Sequence, residues 1–259
     1  MRRLVVIPLA LVVLLAAACS ATPGGEAAGG PGGPAPNERL SETPAPGTST
    51  DTGGAVDPDS GPPRFEGGVA RIGTRLRNVL IGRNWTPGCP VPIRDLRLVT
   101  VSYWNFHGEV RTGPLVLNER VAHDVLWVFR RLFRARFPIK EIKLAAKDRP
   151  ITPEDYWNMS PRSVTASFNC RPATGSTTIL SEHSYGWAID INPLQNPYVR
   201  NDGTTLRYIA LAFRDRSLQR KGMIHAGDIV VRSFAAIGWE WGGHWHTLKD
   251  YMHFSLTGR

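Results

Sequence analysis

The chain contains little cysteine, with three residues among 259. This number is too small for a disulfide-rich scaffold, and Cys19, Cys89 and Cys170 lack the close paired spacing of a structural zinc knuckle. The sequence shows no internal repeat and no nucleophile elbow around Ser181 or Ser184, which argues against a serine hydrolase. Hydrophobic residues nevertheless make up 42% of the chain, so wholesale disorder is excluded.

Residues 20–63 lack the large aliphatic side chains that a folded segment needs. Leu40 and Val56 are the only ones, whereas 19 of the 44 residues are Gly or Pro. Such a segment cannot bury enough apolar surface to offset the entropy of ordering its backbone. We therefore predict a disordered tether over residues 20–63, ahead of one globular domain over residues 64–259.

Residues 1–19 predict an export signal. Arg2 and Arg3 precede an apolar run over residues 4–18, which is shorter than the roughly 20 residues of a spanning helix, and Cys19 follows directly. The segment LAAAC at residues 15–19 resembles a bacterial lipobox, in which the cysteine becomes the lipidated N-terminus. We expect an extracytoplasmic protein that is lipid-anchored to the cell membrane through Cys19. Plain secretion, with no role for Cys19, is the alternative.

Charge is distributed unevenly between these parts. Residues 1–63 carry three basic and six acidic side chains, a net charge of −3, whereas residues 64–259 carry 28 basic and 16 acidic ones, a net charge of +12. The basic residues are mostly scattered arginines without a nucleic-acid-binding motif, and export would separate the chain from nucleic acid. We therefore expect no nucleic-acid partner. The positive charge suits a domain that faces an anionic cell wall. We also expect a monomer.

The globular domain has a mixed pattern of strands and helices. Residues 96–103 (LRLVTVSY) and 115–117 predict strands, as do residues 142–145, 188–192 and 252–256. A long helix is predicted between an Asn118 cap and Pro138, and a second one between Asp228 and Gly238. Since strands and helices do not alternate regularly, the pattern favours an α+β fold.

Two clusters of histidine and aspartate carry the chemistry. His183 lies seven residues before Asp190, and Asp250 lies three residues before His253. Two imidazoles and one carboxylate suffice for a catalytic zinc site, and a further carboxylate can act as general base. In a continuous strand Asp250 and His253 would face opposite ways. If both residues are to reach one metal site, the chain must bend at Tyr251 or before it, and we expect such a bend.

These clusters resemble the paired motif of the zinc D-alanyl-D-alanine carboxypeptidases, a family that includes VanY-type carboxypeptidases and endolysin-like L-alanyl-D-glutamate peptidases. The resemblance rests on S-x-H-x-x-G-x-A-x-D at residues 181–190, followed by D-x-x-H at residues 250–253. It extends over about residues 90–257.

The resemblance implies a small antiparallel sheet with flanking helices around a zinc cleft, as in the D-alanyl-D-alanine carboxypeptidase and hedgehog-like fold. By position, His183, Asp190 and His253 would bind Zn²⁺, Asp250 would act as general base toward a metal-activated water, and Arg171 would bind a substrate carboxylate. The expected substrate is the peptidoglycan stem peptide, cut by a D-alanyl-D-alanine carboxypeptidase or an L-alanyl-D-glutamate endopeptidase. A catalytically silent peptidoglycan-binding or zinc-binding lipoprotein module on the same fold is the alternative.

Two further features have competing interpretations. His244 and His246 would share one face of a strand and could chelate a metal there, but the resemblance assigns the ligand role to His253 and leaves them at the rim of the cleft. In an exported domain Cys89 and Cys170 could form a disulfide, while two buried free thiols are the alternative.

Overall fold

The structure is a computed structural model that describes residues 61–145, 163–206 and 208–258. All of these residues belong to one compact unit within Val56–Arg259. The predicted export signal, Cys19 and nearly all of the predicted tether therefore lie outside the described residues. Within the described part of the chain, no helix is long and apolar enough to cross a membrane.

The described residues form three α-helices and ten short strands. The helices are α1 (Thr74–Leu80), α2 (Ala122–Arg134) and α3 (Ile229–Ala235). The strands are β1 (Gly67–Arg71), β2 (Leu96–Trp104), β3 (Val110–Asn118), β4 (Glu141–Ile142), β5 (Val164–Thr165), β6 (Ala188–Asp190), β7 (Tyr198–Val199), β8 (Glu240–Trp241), β9 (Lys249–Asp250) and β10 (His253–Ser255).

The strands pair mainly into two small antiparallel sheets. One has the order β1-β2-β3 and the other β6-β10-β8. Strands β7 and β9 form an antiparallel pair, and β4 and β5 a parallel one. The mixed α/β content and the antiparallel pairing agree with the predicted fold class.

One continuous hydrophobic core joins both sheets to α2 and α3. Val125, Phe129 and Leu132 form the buried stripe of α2, while Phe234 of α3 stacks on Phe254 of β10 with ring centroids 4.3 Å apart. Helix α3 begins as predicted, because the Asp228 side chain accepts hydrogen bonds from the Val230 and Val231 backbone. This packing fixes the second sheet, whose opposite face carries the candidate site.

The predicted cap of α2 is wrong. Asn118 is the last residue of β3, where it pairs with Leu96, and the helix begins at Ala122. The Asn118 backbone N–H donates to the Gly186 carbonyl at 3.1 Å, and the Asn118 side chain donates to the Tyr185 carbonyl. Contacts distant in sequence therefore hold Asn118 in the strand.

The other element ends also differ from the predicted ones. Helix α2 ends at Arg134, before Pro138, and α3 ends at Ala235, before Gly238. The strands predicted over residues 142–145, 188–192 and 252–256 are all shorter, at Glu141–Ile142, Ala188–Asp190 and His253–Ser255.

The predicted disulfide is confirmed. Cys89 and Cys170 are bonded, with their Cα atoms 5.9 Å apart and a sequence separation of 81. The Cys170 N–H also donates to the Asn84 carbonyl at 2.8 Å. These two links fix the backbone immediately before Arg171, which lines the candidate site.

Candidate active site

The register of the second sheet places Asp190 beside His253. Residue pairs directly opposite in an antiparallel ladder point to the same face, and His253 of β10 lies opposite Asp190 of β6. The neighbouring pair, Phe254 and Ile189, points into the core on the other face. As a result the His253 Nδ1 lies 3.1 Å from the Asp190 Oδ1.

The chain bends between Asp250 and His253, as predicted. Strand β9 ends at Asp250, a turn follows at Tyr251 and Met252, and β10 begins at His253. The Tyr251 carbonyl accepts a hydrogen bond from the Trp241 indole N–H at 2.9 Å. Gly242 permits this approach, because a Cβ there would lie 2.5 Å from the Asp250 carbonyl oxygen.

His183 comes from a short 3-10 turn, Glu182–Tyr185, that packs on the end of β3. Ser181 caps the turn by accepting from the His183 N–H, and Gly186 ends it with a left-handed φ of 72°. A Cβ on Gly186 would lie 2.6 Å from the Asn118 nitrogen, so glycine is required for the close approach as well as for the φ angle. The turn places the buried His183 ring 5.2 Å from the His253 ring.

The structure brings the three predicted ligands together. One ligand atom from each of His183, Asp190 and His253 lies within 4.8 Å of the others, and in the described part of the chain this is the one group of three such residues. Although burial disfavours its charged form, positive charge on the His183 and His253 imidazoles in the metal-free protein holds the pKa of Asp190 well below its usual range. The site therefore supplies an ionised carboxylate together with two imidazoles.

The hydrogen bonds of His183 fit a bound cation. Its Nδ1 lies 2.7 Å from the Ser167 carbonyl oxygen, which can only accept, so Nδ1 carries the proton. In the neutral ring Nε2 is then a lone-pair acceptor, and it lies 3.2 Å from Asp190 Oδ1 without a hydrogen-bond donor among the described residues. Two acceptors facing each other are satisfied by a metal ion, and a carbonyl partner on the other ring nitrogen is the usual support of a metal-binding histidine.

Asp250 lies beside this group with properties that suit a proton acceptor. Burial and the neighbouring Asp190 raise the pKa of Asp250 from 3.8 to about 7, against the opposing effect of His253 and Arg171. Its Oδ1 is buried and has no hydrogen-bond partner among the described residues. A carboxylate with such a pKa can accept and return protons near neutral pH.

Arg171 lies in the same cleft as the two aspartates. The cleft has a volume of about 180 Å³, with Arg171, Asp190 and Asp250 supplying its charged lining. The backbone of Arg171 is fixed to the His183 turn, because its N–H donates to the Ser184 hydroxyl and its carbonyl accepts from it, at 2.9 and 2.8 Å. The cleft therefore offers one cation in the same lining as Asp190 and Asp250.

The rest of the cleft lining is mostly apolar, and we call these residues the apolar wall. It is formed by Pro193, Pro197, Leu206, Ala210 and Met252, with Tyr198 and Thr174 alongside.

The alternative pair His244 and His246 does not form a chelating strand. Gly242–His244 is a 3-10 turn, and both histidines are exposed. The His244 ring contacts the Trp241 ring edge-on at 5.1 Å, and neither histidine joins a metal-binding group within the described ranges. The prediction that places them outside the ligand set agrees with this arrangement.

Sequence reasoning missed Arg216, which supports the turn that carries the site. The Arg216 guanidinium donates to the carbonyls of Gln195, Phe213 and Ile224 and to the Asn196 side-chain oxygen. It also lies over the Tyr251 ring, with Cζ 4.5 Å from the centroid. Nothing in the local sequence distinguishes this arginine from its neighbours, since its partners come from separate segments of the chain.

We predict that Arg216→Met destabilises the protein and weakens catalysis. Four hydrogen-bonded acceptors lose their donor, so the free energy of unfolding should fall by about 2–4 kcal/mol. Displacement of the Tyr251 turn should lower kcat/KM at least about tenfold. Urea unfolding and steady-state kinetics measure the two effects. Arg214→Met is the matched control, because Arg214 is exposed and its guanidinium donates to the Gly203 carbonyl. An Arg216→Met variant as stable as this control would contradict the prediction.

Comparison with known proteins agrees with this geometry. Residues 174–256, about a third of the chain, match the family model described as D-alanyl-D-alanine carboxypeptidase. The matched segment contains His183, Asp190, Asp250 and His253, while Arg171 lies just before it. No curated protein and no solved structure gave a significant match to the chain. The match confirms the resemblance of this chain to the zinc D-alanyl-D-alanine carboxypeptidase family.

Proposed function

We propose that this protein is a zinc peptidase that removes the terminal D-alanine from the stem peptide of peptidoglycan. The observation that carries the proposal is the convergence of His183, Asp190 and His253 within 4.8 Å. Of these three, Asp190 also lines a cleft together with Asp250 and Arg171. The match of residues 174–256 to a carboxypeptidase family supports a peptidase rather than another metal-dependent hydrolase.

His183, Asp190 and His253 are the residues that would hold the zinc ion. When bound, zinc supplies Lewis-acid polarisation of the scissile carbonyl and lowers the pKa of a water molecule. With two neutral imidazoles and one carboxylate as ligands, the site keeps a net positive charge that favours a tetrahedral oxyanion.

Asp250 moves the protons in this mechanism. Its buried Oδ1 has no hydrogen-bond partner among the described residues and is therefore available to the attacking water. The carboxylate takes the proton of that water and returns a proton to the leaving amine. In the metal-free protein, burial and the charge of Asp190 raise the pKa of Asp250, the direction that suits a proton acceptor.

Arg171 binds the free carboxylate of the stem peptide. Guanidinium and carboxylate groups form charge-assisted, often bidentate hydrogen bonds. The apolar wall that includes Pro193 and Met252 accepts the methyl groups of the alanine residues. A cation in the lining of the cleft favours cleavage at the carboxyl end of a peptide over cleavage within it.

The experiment is digestion of a muropeptide that ends in D-alanyl-D-alanine, with products identified by mass spectrometry. We expect release of one D-alanine, and we expect Arg171→Gln to raise KM about tenfold with a smaller change in kcat. The same muropeptide with a C-terminal amide is the control, because it should not distinguish wild type from Arg171→Gln. Cleavage after L-alanine would replace the carboxypeptidase assignment with an endopeptidase.

We further propose that the protein acts outside the cell membrane, to which it is anchored by lipid on Cys19. The support is the charged and apolar pattern of residues 1–19. Metabolic labelling with a fatty acid should tag the wild-type protein, and Cys19→Ala should abolish the tag. Label that survives this substitution would contradict lipidation at Cys19.

A further inference from the structure

A second concave surface lies apart from the candidate active site. It is a groove of about 390 Å³ lined by four arginines, Arg64, Arg130, Arg134 and Arg136, and we call it the arginine groove. All four arginines are exposed, and the lining shares no residue with that of the catalytic cleft. No carboxylate of the described residues forms an ion pair with these arginines. Four uncompensated cations around one concavity attract anions.

Aromatic rings hold two of these guanidinium groups in place. The Arg136 Cζ lies 4.6 Å from the centroid of Trp104, and the Arg130 Cζ lies 5.4 Å from that of Phe65. Trp104 stacks on Phe133, and its indole N–H donates to the Phe133 carbonyl at 3.0 Å. Stacking occupies the face of a guanidinium and leaves its N–H edges for acceptors. This arrangement differs from that of solvated arginines on a helix surface, which keep full rotamer freedom.

The backbone of Arg136 gives independent support. It follows the C-cap of α2 with φ of 52°, in the left-handed region where helices commonly place glycine. An arginine at this position costs more conformational free energy than a glycine would. Strain of this kind is found where a side chain serves a function. In the arginine groove that side chain is the guanidinium on Trp104.

We propose that the arginine groove binds an anionic polysaccharide strand, as a second site that holds the domain on its polymeric surroundings. The faces of Trp104 are taken by Phe133 and Arg136, so the groove offers little free ring surface for the base stacking that single-stranded nucleic acid requires. A flat lipid surface does not enter a concave groove. The choice of a polysaccharide over an acidic peptide rests on the proposed function, because that function places the domain in an anionic cell wall.

The test is a binding titration with polygalacturonate, using calorimetry at low salt on the full chain. The measurements are made on the Asp250→Asn variant with chelator present, so that failure of the peptidase proposal does not affect them. We expect saturable binding that weakens as salt is added, and little binding of fully methyl-esterified polygalacturonate, which has the same sugar backbone without charge.

Two sets of variants separate the groove from overall charge. Arg136→Gly should lower the affinity at least about fivefold while leaving the unfolding temperature equal or higher, since glycine relieves the left-handed backbone. Arg130→Gln with Arg134→Gln should also weaken binding, whereas Arg75→Gln with Arg214→Gln removes the same charge outside the groove and should not. In the catalytically intact protein, all of these variants should cleave a small soluble muropeptide at the wild-type rate.

Several results would overturn the proposal. One is an equal loss of affinity in both double variants, which would show that binding depends on the overall charge of the domain and not on the arginine groove. Another is binding of the methyl ester as strong as that of polygalacturonate. Stronger binding to polyglutamate, to an oligothymidine strand or to phosphatidylglycerol vesicles would replace the polysaccharide with a peptide, a nucleic acid or a membrane.

Discussion

His253→Ala should abolish metal binding and lower kcat/KM for muropeptide cleavage at least about 10³-fold. The substitution removes one of three candidate ligands, and a catalytic zinc site normally has three from the protein. His253 also lies beside Asp190, and the two imidazoles hold the pKa of Asp190 below its usual range. Without His253, only His183 remains to stabilise the ionised form of Asp190. Metal content by inductively coupled plasma mass spectrometry and steady-state kinetics on the same sample measure both effects.

His244→Ala is the matched control for this prediction. His244 is an exposed histidine on the neighbouring 3-10 turn, and its ring contacts Trp241 rather than the candidate ligands. We expect wild-type metal content and activity from it. Because His253 is buried, His253→Gln serves as a second variant if the alanine variant unfolds. Full metal content in a folded His253 variant, or its loss in His244→Ala, would show that the ion is bound elsewhere.

Asp250→Asn should lower kcat by about 10²–10⁴-fold while the protein keeps its metal. The amide has nearly the shape of the carboxyl group but cannot take a proton from water, and Asp250 is not among the three candidate ligands. In a catalytically silent binding module the substitution would lower no activity, because there would be none to lose. Loss of metal in this variant would instead make Asp250 a ligand, and unchanged kcat would exclude it as the base.

The pH dependence of stability provides a separate measurement for Asp250. In the metal-free protein its pKa is about 7, against 3.8 for an unperturbed aspartate, so between these values the folded state binds a proton that the unfolded state does not. The protonated Asp250 side chain therefore contributes to the free energy of unfolding at pH 4, and this contribution is lost as the pH rises through 7. With metal removed, Asp250→Asn should exceed the wild type in unfolding free energy by about 2 kcal/mol at pH 8. The difference should vanish toward pH 4, and a difference that is constant with pH would contradict the raised pKa.

The features predicted correctly from the sequence depend on local patterns or on ordered motifs. The β-branched and other strand-favouring residues of β2 and the Asp228 cap of α3 are local signals. The convergence of His183, Asp190 and His253 follows from two motifs in one domain, and the bend at Tyr251 follows from the need for Asp250 and His253 to face one site.

The features that could not be predicted depend on contacts between distant segments. Asn118 looks like a helix cap in isolation, but it is bound to the Tyr185–Gly186 turn, about 67 residues later in the chain. Arg216 acquires its role only when the segments of Asn196, Ile224 and Tyr251 meet around it. Nor does periodicity predict the left-handed backbone of Arg136, since glycine would be the expected residue there.

Zinc reconstitution is the decisive measurement of whether cleavage depends on a zinc ion bound by the protein. The protein is stripped with chelator and titrated with zinc, while cleavage of the D-alanyl-D-alanine muropeptide and bound metal are measured together. We predict that the stripped protein is inactive and that activity rises linearly to a break at about one zinc per chain. Activity that persists in the metal-free protein, or one bound zinc without any cleavage, would contradict it.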